Sequence, residues 1–293
     1  MTRRGFIKGL LAVTLAGLFA ALYGFFIEPA LRLRVRRWRL RRADWTVAPL
    51  RIAVLADLHV GEPHVGLDRI RQVVRRTNAL APDLVLLLGD FAAGHKFTTQ
   101  PVKMSELAPV LAELQGKHGI YAVLGNHDWW DDLTAQRRGG GPNLYADALR
   151  QNGISVLSNE AIKLESLGIW LAGLEDQLAI VNGRGRFRGL DDLPGTLAQI
   201  TDDAPVVMMA HEPDIFPKVP NRVALTLSGH THGGQVRLFG WSPLVPSRFG
   251  NRYAYGHVRE DGRDLVVSGG IGCSILPVRF GVTPEITVIE LSA

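Results

Sequence analysis

Cysteine is nearly missing from this chain: Cys273 is the only one in 293 residues. A lone thiol closes no intrachain disulfide, builds no Cys-based zinc site and holds no iron–sulfur cluster. It leaves the compartment open, because exported proteins also do without disulfides. Internal repeats and low-complexity tracts are absent as well; the 32 glycines and 16 prolines are scattered at strand–loop junctions. Most of the chain also lacks any excess of positive charge. The formal +5 arises in residues 1–45, which carry ten Arg or Lys against Glu28 and Asp44. Of 33 basic and 28 acidic residues, that leaves 23 and 26 for the remainder. The body is therefore no basic nucleic-acid binder, and the pI near 9.6 belongs to its leader.

With 46% hydrophobic and 21% charged residues, the chain suits one large globular domain, residues 50–293, with extra sequence at its start. Thr2-Arg3-Arg4-Gly5-Phe6-Ile7-Lys8 precedes an uncharged apolar run from Gly9 to Ile27, 19 residues and just enough to cross a bilayer as a helix. The paired arginines resemble a twin-arginine export signal; an ordinary signal anchor is the other reading of residues 1–30. No A-x-A pattern follows, which favours a retained anchor. Residues 31–49 read as a basic juxtamembrane strand and linker. Arg32, Arg34, Arg36, Arg37, Arg39, Arg41 and Arg42 interleave there with Leu31, Leu33, Val35, Trp38 and Leu40. The alternation predicts a strand with one basic face, drawn to anionic lipid or simply solvated at a sheet edge. By the positive-inside rule these arginines favour a cytoplasmic body. The twin-arginine signal favours a body facing the periplasm or cell exterior, and that orientation is the expectation here.

From Leu50 the pattern is α/β. Arg51–Ala56, Leu84–Leu88, Ile120–Leu124, Pro205–Ala210 and Val223–Leu227 read as buried strands. Helical spacing runs over Leu67–Leu80 and Met104–Leu114, Arg137–Gly141 reads as a flexible loop, and Pro142 opens a short helix to Gln151. Ile154–Leu157, Ala161–Leu164 and Ile169–Leu174 are expected as successive strands of a second sheet. The tail is strand-rich, over Arg252–Val258, Asp264–Val267 and Glu285–Leu291.

The chemistry lies where the strands stop. Asp57 and His59, Asp90, Asn126 and His127, His211, and His230 and His232 each follow a predicted strand. Open α/β sheets place ligands at the carboxyl ends of their strands, and parallel strands would bring all of these to one edge. Asn126 and Asp128 alone also suit a turn, since both bond their own backbone. In extended chain the period of two would point Asp57 and His59 the same way, so one metal takes both. His230 and His232 repeat the spacing and would lie roughly 6–7 Å apart, enough to serve two metals from opposite sides. A shared carboxylate makes Asp90 the natural bridge. Carboxylate, imidazole and amide donors together suit Mn²⁺, Fe or Zn²⁺ better than Ca²⁺ or Mg²⁺. Two divalent ions against two ligand carboxylates leave a positive site that attracts an anionic phosphoester.

These motifs, Asp57-x-His59, Gly89-Asp90, Gly125-Asn126-His127-Asp128, His211 and Gly229-His230-Thr231-His232 in this order, resemble the calcineurin-like metallophosphoesterases from about Arg51 to Leu291. The continuation Gly233-Gly234-Gln235, with Glu28-Pro29 and Pro284-Glu285-Ile286, resembles the bacterial membrane-anchored or twin-arginine-exported branch, the YkuE/YaeI-like phosphodiesterases. The resemblance implies a four-layer α/β/β/α sandwich carrying two divalent metal ions. One would take Asp57, His59, Asp90 and His232; the other Asp90, Asn126, His211 and His230. It further implies a phosphodiesterase-type hydrolase in which metal-activated hydroxide attacks phosphorus. His127, not a ligand, would steady the transition state or protonate the leaving oxygen, with Asp128 orienting it. The rival substrate is the pyrophosphate of a lipid such as UDP-2,3-diacylglucosamine, which would require a cytoplasmic site. A non-catalytic metal-binding scaffold is the rival from another class, opposed by the intact ligand set and by His127.

Weaker signals remain. His64, His95, His118 and His257 lie outside the motifs and read as structural or solvent-facing. Trp129, Trp130, Phe239 and Trp241 would form an apolar lip for a lipid or nucleotide base, or else ordinary core and surface. Arg184, Arg186 and Arg188 would hold a second phosphate or form a solvated loop. Cys273 reads as a small buried side chain.

Overall fold

An apolar helix comes first in the computed structural model, which describes residues 2–183 and 185–293. This helix, α1 (Arg3–Leu31), is long and apolar enough to cross a membrane, and almost none of it is buried against the protein. A π-turn at Tyr23–Ile27 interrupts it where it meets the body. There the buried Glu28 takes the weight of the junction, its two oxygens accepting from Gly281 N–H and Thr283 Oγ1 at 2.9 Å each.

The chain then lays down β1 (Arg34–Arg41), β2 (Leu50–Leu55), α2 (Leu67–Asn78), β3 (Leu84–Leu87), α3 (Met104–Leu111) and β4 (Ile120–Ala122). Three short helices follow, α4 (Asn126–Asp131), α5 (Leu133–Arg138) and α6 (Leu144–Gln151), and then β5 (Ser155–Val156). The second half contributes β6 (Glu160–Leu164), β7 (Ile169–Gly173), α7 (Leu193–Leu197), β8 (Val206–Met209) and β9 (Val223–Ser228). It closes with β10 (Gly256–Glu260), β11 (Arg263–Val267) and β12 (Glu285–Ser292). Two six-stranded mixed sheets result, ordered β1-β12-β2-β3-β4-β5 and β10-β11-β9-β8-β7-β6.

Period-two alternation feeds each strand into two cores at once. On β2, Ile52 and Val54 join Leu84 and Leu86 of β3 against Leu171, Val207, Met209 and Leu227 of the other sheet. The intervening Ala53 and Leu55, with Val85 and Leu87, pack instead on Ile70, Val73 and Val74 of α2 and on Leu107 and Leu111 of α3. The far face of the second sheet buries Trp170, Val206 and Met208 with Leu193 of α7 and Ile215. β2 to β4 are parallel, so their carboxyl ends point the same way. β7, β8 and β9 do likewise in the second sheet.

Several expectations need correction. Ser155–Val156 pairs with β4 in the first sheet, so Ile154–Leu157 does not belong to the second. Arg137 and Arg138 end α5, whose start Asp132 caps by accepting from Thr134 and Ala135 N–H; only Gly139–Gly141, all at positive φ, form the loop. Residues 250–253 make a 3₁₀ turn ahead of β10. β1 is a strand, paired in parallel with β12, but it has no single basic face. The Arg36-Arg37 doublet shifts the alternation by one residue, so arginines fall on both faces. Arg36 lies over the Trp38 ring at 4.3 Å, and Arg34 bonds Glu285 and Tyr255.

Candidate metal centre

The five motif loops do not meet along one sheet edge. Those after β2, β3 and β4 come from the first sheet, those after β8 and β9 from the second, and the side chains gather between the two edges. Nor does strand pleating aim Asp57 with His59 or His230 with His232. All four lie beyond the strand ends in left-handed backbone, with φ of 53°, 41°, 66° and 51°, and Asp90 joins them at 57°. Such conformations cost non-glycine residues of order 1–3 kcal/mol each and persist where the surroundings impose them. Five in one cluster mark a site held for chemistry at the expense of folding. Glycine is required beside them: a Cβ on Gly125 would lie 2.3 Å from Asp90 Oδ1 and 2.7 Å from His211 Cε1.

Two groups of buried donors result. Asp57, His59, Asp90 and His232 each offer a ligand atom within 4.8 Å of the others, as do Asp90, His211 and His230, so Asp90 belongs to both. Asn126 joins the second group through Oδ1, 2.9 Å from His230 Nδ1. The expected metal ligands are therefore brought together without exception. Outward-facing nitrogens are fixed by the frame: His59 Nδ1 donates to Ala92 O at 2.8 Å, and His211 Nδ1 to Leu88 O at 2.6 Å. Their Nε2 atoms thus turn inward bearing lone pairs. His59 Nε2 lies 3.0 Å from His232 Nε2 and His211 Nε2 lies 3.2 Å from Asp90 Oδ2, while Asp57 Oδ2 is buried without any hydrogen-bond partner. Buried, inward-facing imidazoles and carboxylates crowded together in this way fit divalent cations. Burial pushes the Asp57 carboxyl up to about 7 and the His59 imidazole down to about 3; positive charge between them would favour both metal-binding forms.

Asp128 makes no hydrogen bond to the His127 side chain among the described residues. Its carboxylate accepts from four backbone amides, Asp90 and Gly125 at 2.9 Å, Phe91 at 2.7 Å and Ala92 at 3.0 Å, and so ties the β3 loop to the β4 loop. His127 projects into a cavity of about 260 Å³ beside the candidate metal ligands. Its Nε2 lies 3.3 Å from Ser274 Oγ, and its ring rests between those of His59 at 4.8 Å and Trp130 at 5.0 Å. Burial holds this imidazole below its ordinary range, with the Asp90 carboxylate opposing.

Three residues here carry no signal in the sequence. Arg279 is fully buried, donates to the carbonyls of Gly269, Gly272 and Val282, and places Nη2 3.2 Å from His232 Nδ1. Asp176 and Glu212 flank His211, each with one buried oxygen unpartnered, and burial beside Glu212 pushes the Asp176 carboxyl well above the usual range. The remaining expectations divide. Trp129 is core and donates to Glu175; Trp130 lines the cavity; Phe239 and Trp241 are exposed. Arg188 donates to Gly139 O, and Arg184 lies outside the described residues. His257 bonds Asp264, His118 bonds Ser166, and Cys273 is buried.

Two mixed sheets bring their loops together on buried histidines and carboxylates around a shared aspartate, the arrangement of a metal-binding protein. The chain belongs to the calcineurin-like phosphoesterase family, whose model matches residues 50–234. It is similar to the uncharacterized metallophosphoesterase YkuE of Bacillus subtilis, 28% identical with 100% of this chain and 98% of that one aligned. It is also similar to the phosphodiesterase YaeI of Escherichia coli, at 29% with 99% of each covered. A transmembrane protein with metallophosphoesterase domain from Danio rerio is 31% identical over 83% of this chain, which spans 53% of that longer relative.

Proposed function

We propose that this protein is a dinuclear metal-dependent phosphodiesterase held at a membrane by α1, built on the four-layer α/β/β/α sandwich. Asp57, His59, Asp90 and His232 would hold one divalent cation, and Asp90, Asn126, His211 and His230 the second. Mn²⁺, Fe and Zn²⁺ suit such donors. Bound cations would supply Lewis acidity toward the phosphoryl oxygens and lower the pKa of water. The observation that carries this reading is the pair of buried donor groups that share Asp90, with Asp57 Oδ2 buried and without a hydrogen-bond partner among them.

The protein's own contribution is positional. Asp128 clamps the two loops that present Asp90 and Asn126. His127 faces the cavity, and a neutral imidazole keeps one N–H to donate to the leaving or phosphoryl oxygen as charge develops there.

Full-chain protein, purified in detergent and stripped of metal, provides the test. Added Mn²⁺ should restore cleavage of bis-p-nitrophenyl phosphate over p-nitrophenyl phosphate. Failure to take up metal would sink the reading in favour of a scaffold.

A further inference from the structure

Two large apolar side chains are held in the open at a backbone cost. Leu238 and Trp241 exchange both backbone hydrogen bonds, at 2.8 and 2.9 Å, so Phe239 and Gly240 form a two-residue hairpin turn. Both have positive φ, 50° and 82°, the type I′ geometry that normally selects Asn-Gly. Phe239 instead occupies the first position, fully exposed. Ile275, β-branched and also mostly exposed, sits at φ 65°, a genuine outlier for its type. Ile275, Leu244 and Leu276 line the cavity beside His127 with most or much of their surface exposed, and the hairpin adds the exposed Phe239 and Trp241 just beyond Val236, which lines the same cavity. Folding gains nothing from such exposure; a partner does.

The partner follows from what these residues are joined to. Arg237 N–H donates to Phe280 O, linking the hairpin to the 275–283 loop. That loop is the seat of α1: Arg279 N–H donates to Gly24 O at 2.9 Å, and the Tyr23 ring meets Phe280 edge-on at 5.9 Å. A Cβ on Gly24 would lie 3.5 Å from Val278 Cγ2, and Val278 itself lines the cavity. The membrane-length helix thus passes, at Gly24, one side chain away from the groove.

We infer that the Leu238–Trp241 hairpin and the Ile275–Leu276 loop are immersed in the same bilayer as α1, and that the groove behind them takes the hydrocarbon chain of a membrane-resident phosphoester. The substrate half rests on the phosphodiesterase reading above; the membrane half does not. An amphiphile entering this way keeps its chain in apolar surroundings while its phosphate reaches Asn126, His127 and His230, which line the inner end of the groove.

Full-chain protein in phosphatidylcholine vesicles tests both halves. With lipid brominated along its acyl chains, Trp241 should account for most of the quenched tryptophan emission, so Trp241→Phe should lose that component. Equal quenching in wild type and Trp241→Phe would place the hairpin in water and overturn the proposal. Phe239→Glu should lower hydrolysis of a diacylglycerol p-nitrophenyl phosphodiester by about tenfold and leave soluble bis-p-nitrophenyl phosphate within about twofold. An equal fall on both substrates, or on neither, would overturn the substrate half. Metal-loaded wild type that cleaves neither substrate would instead remove the phosphodiesterase reading, with the quenching still deciding the membrane seat.

Discussion

Asp128 and His127 are neighbours with separable duties, and substitution should part them. Asp128→Ala leaves four buried amides without an acceptor, each costing roughly 1–3 kcal/mol when unsatisfied. A fall of several kcal/mol in unfolding free energy, read by denaturant titration, is expected; unchanged stability with lost turnover would return Asp128 to an orienting role. His127→Ala touches no buried ladder and should lower diester turnover by about 10²–10⁴-fold while retaining metal. Asp90→Ala removes the carboxylate common to both donor groups and should lose metal, measured by elemental analysis.

β1 shows how an element that reads as a membrane-facing strip becomes structural. Its parallel pairing with β12 covers an edge of the first sheet, and the residue just after it, Arg42, crosses to the second sheet. Arg42 Nη1 donates to Asp264 Oδ2 at 2.5 Å and to Gly262 O at 3.0 Å, while His257 Nε2 lies 2.6 Å from the other Asp264 oxygen. Burial works to raise the Asp264 carboxyl, but bonds from His257 and Arg42 outweigh it and hold the group below the usual carboxylate range. A depressed carboxyl stabilises the fold above its unfolded value, about 3.9, and loses that contribution as pH falls through the folded value. The stability gap between wild type and Asp264→Asn should therefore be full at neutral pH and close in acid. A gap independent of pH would show that the charge is not what holds the two sheets together there.

For the molecule as a whole, the open question is orientation. We propose that the body faces the periplasm or cell exterior, with the cytoplasmic side as the alternative. Protease added to intact spheroplasts should digest the body in the first case, and lysines at both Arg3 and Arg4 should abolish that exposure if the twin-arginine pathway carries it. Protection in the wild type would favour the cytoplasmic side and, with it, the nucleotide-linked lipid pyrophosphate.

Much was legible from one dimension. Side-chain periodicity located the central strands and helices, because alternation and helical spacing follow from backbone geometry alone. The order of motifs picked out seven candidate donors that the fold brings together, since ligand chemistry is carried by residue type. What the line of residues left open is geometric. Whether Val156 pairs with β4 or with the second sheet depends on which unpaired edge lies nearest, and two residues cannot specify that. Convergence of the donors came from left-handed turns at Asp57, Asp90 and His230, a conformation that Asp and His adopt more readily than most residues but that a strand-ending sequence does not specify at particular positions. Asp128's amide clamp and the buried Arg279 behind His232 exist only because distant segments meet. The exposure of Phe239 and Ile275 near α1 was likewise decided in three dimensions, where Gly24 meets Val278 across 254 residues of sequence and Phe25 O meets His64 Nε2 across 39.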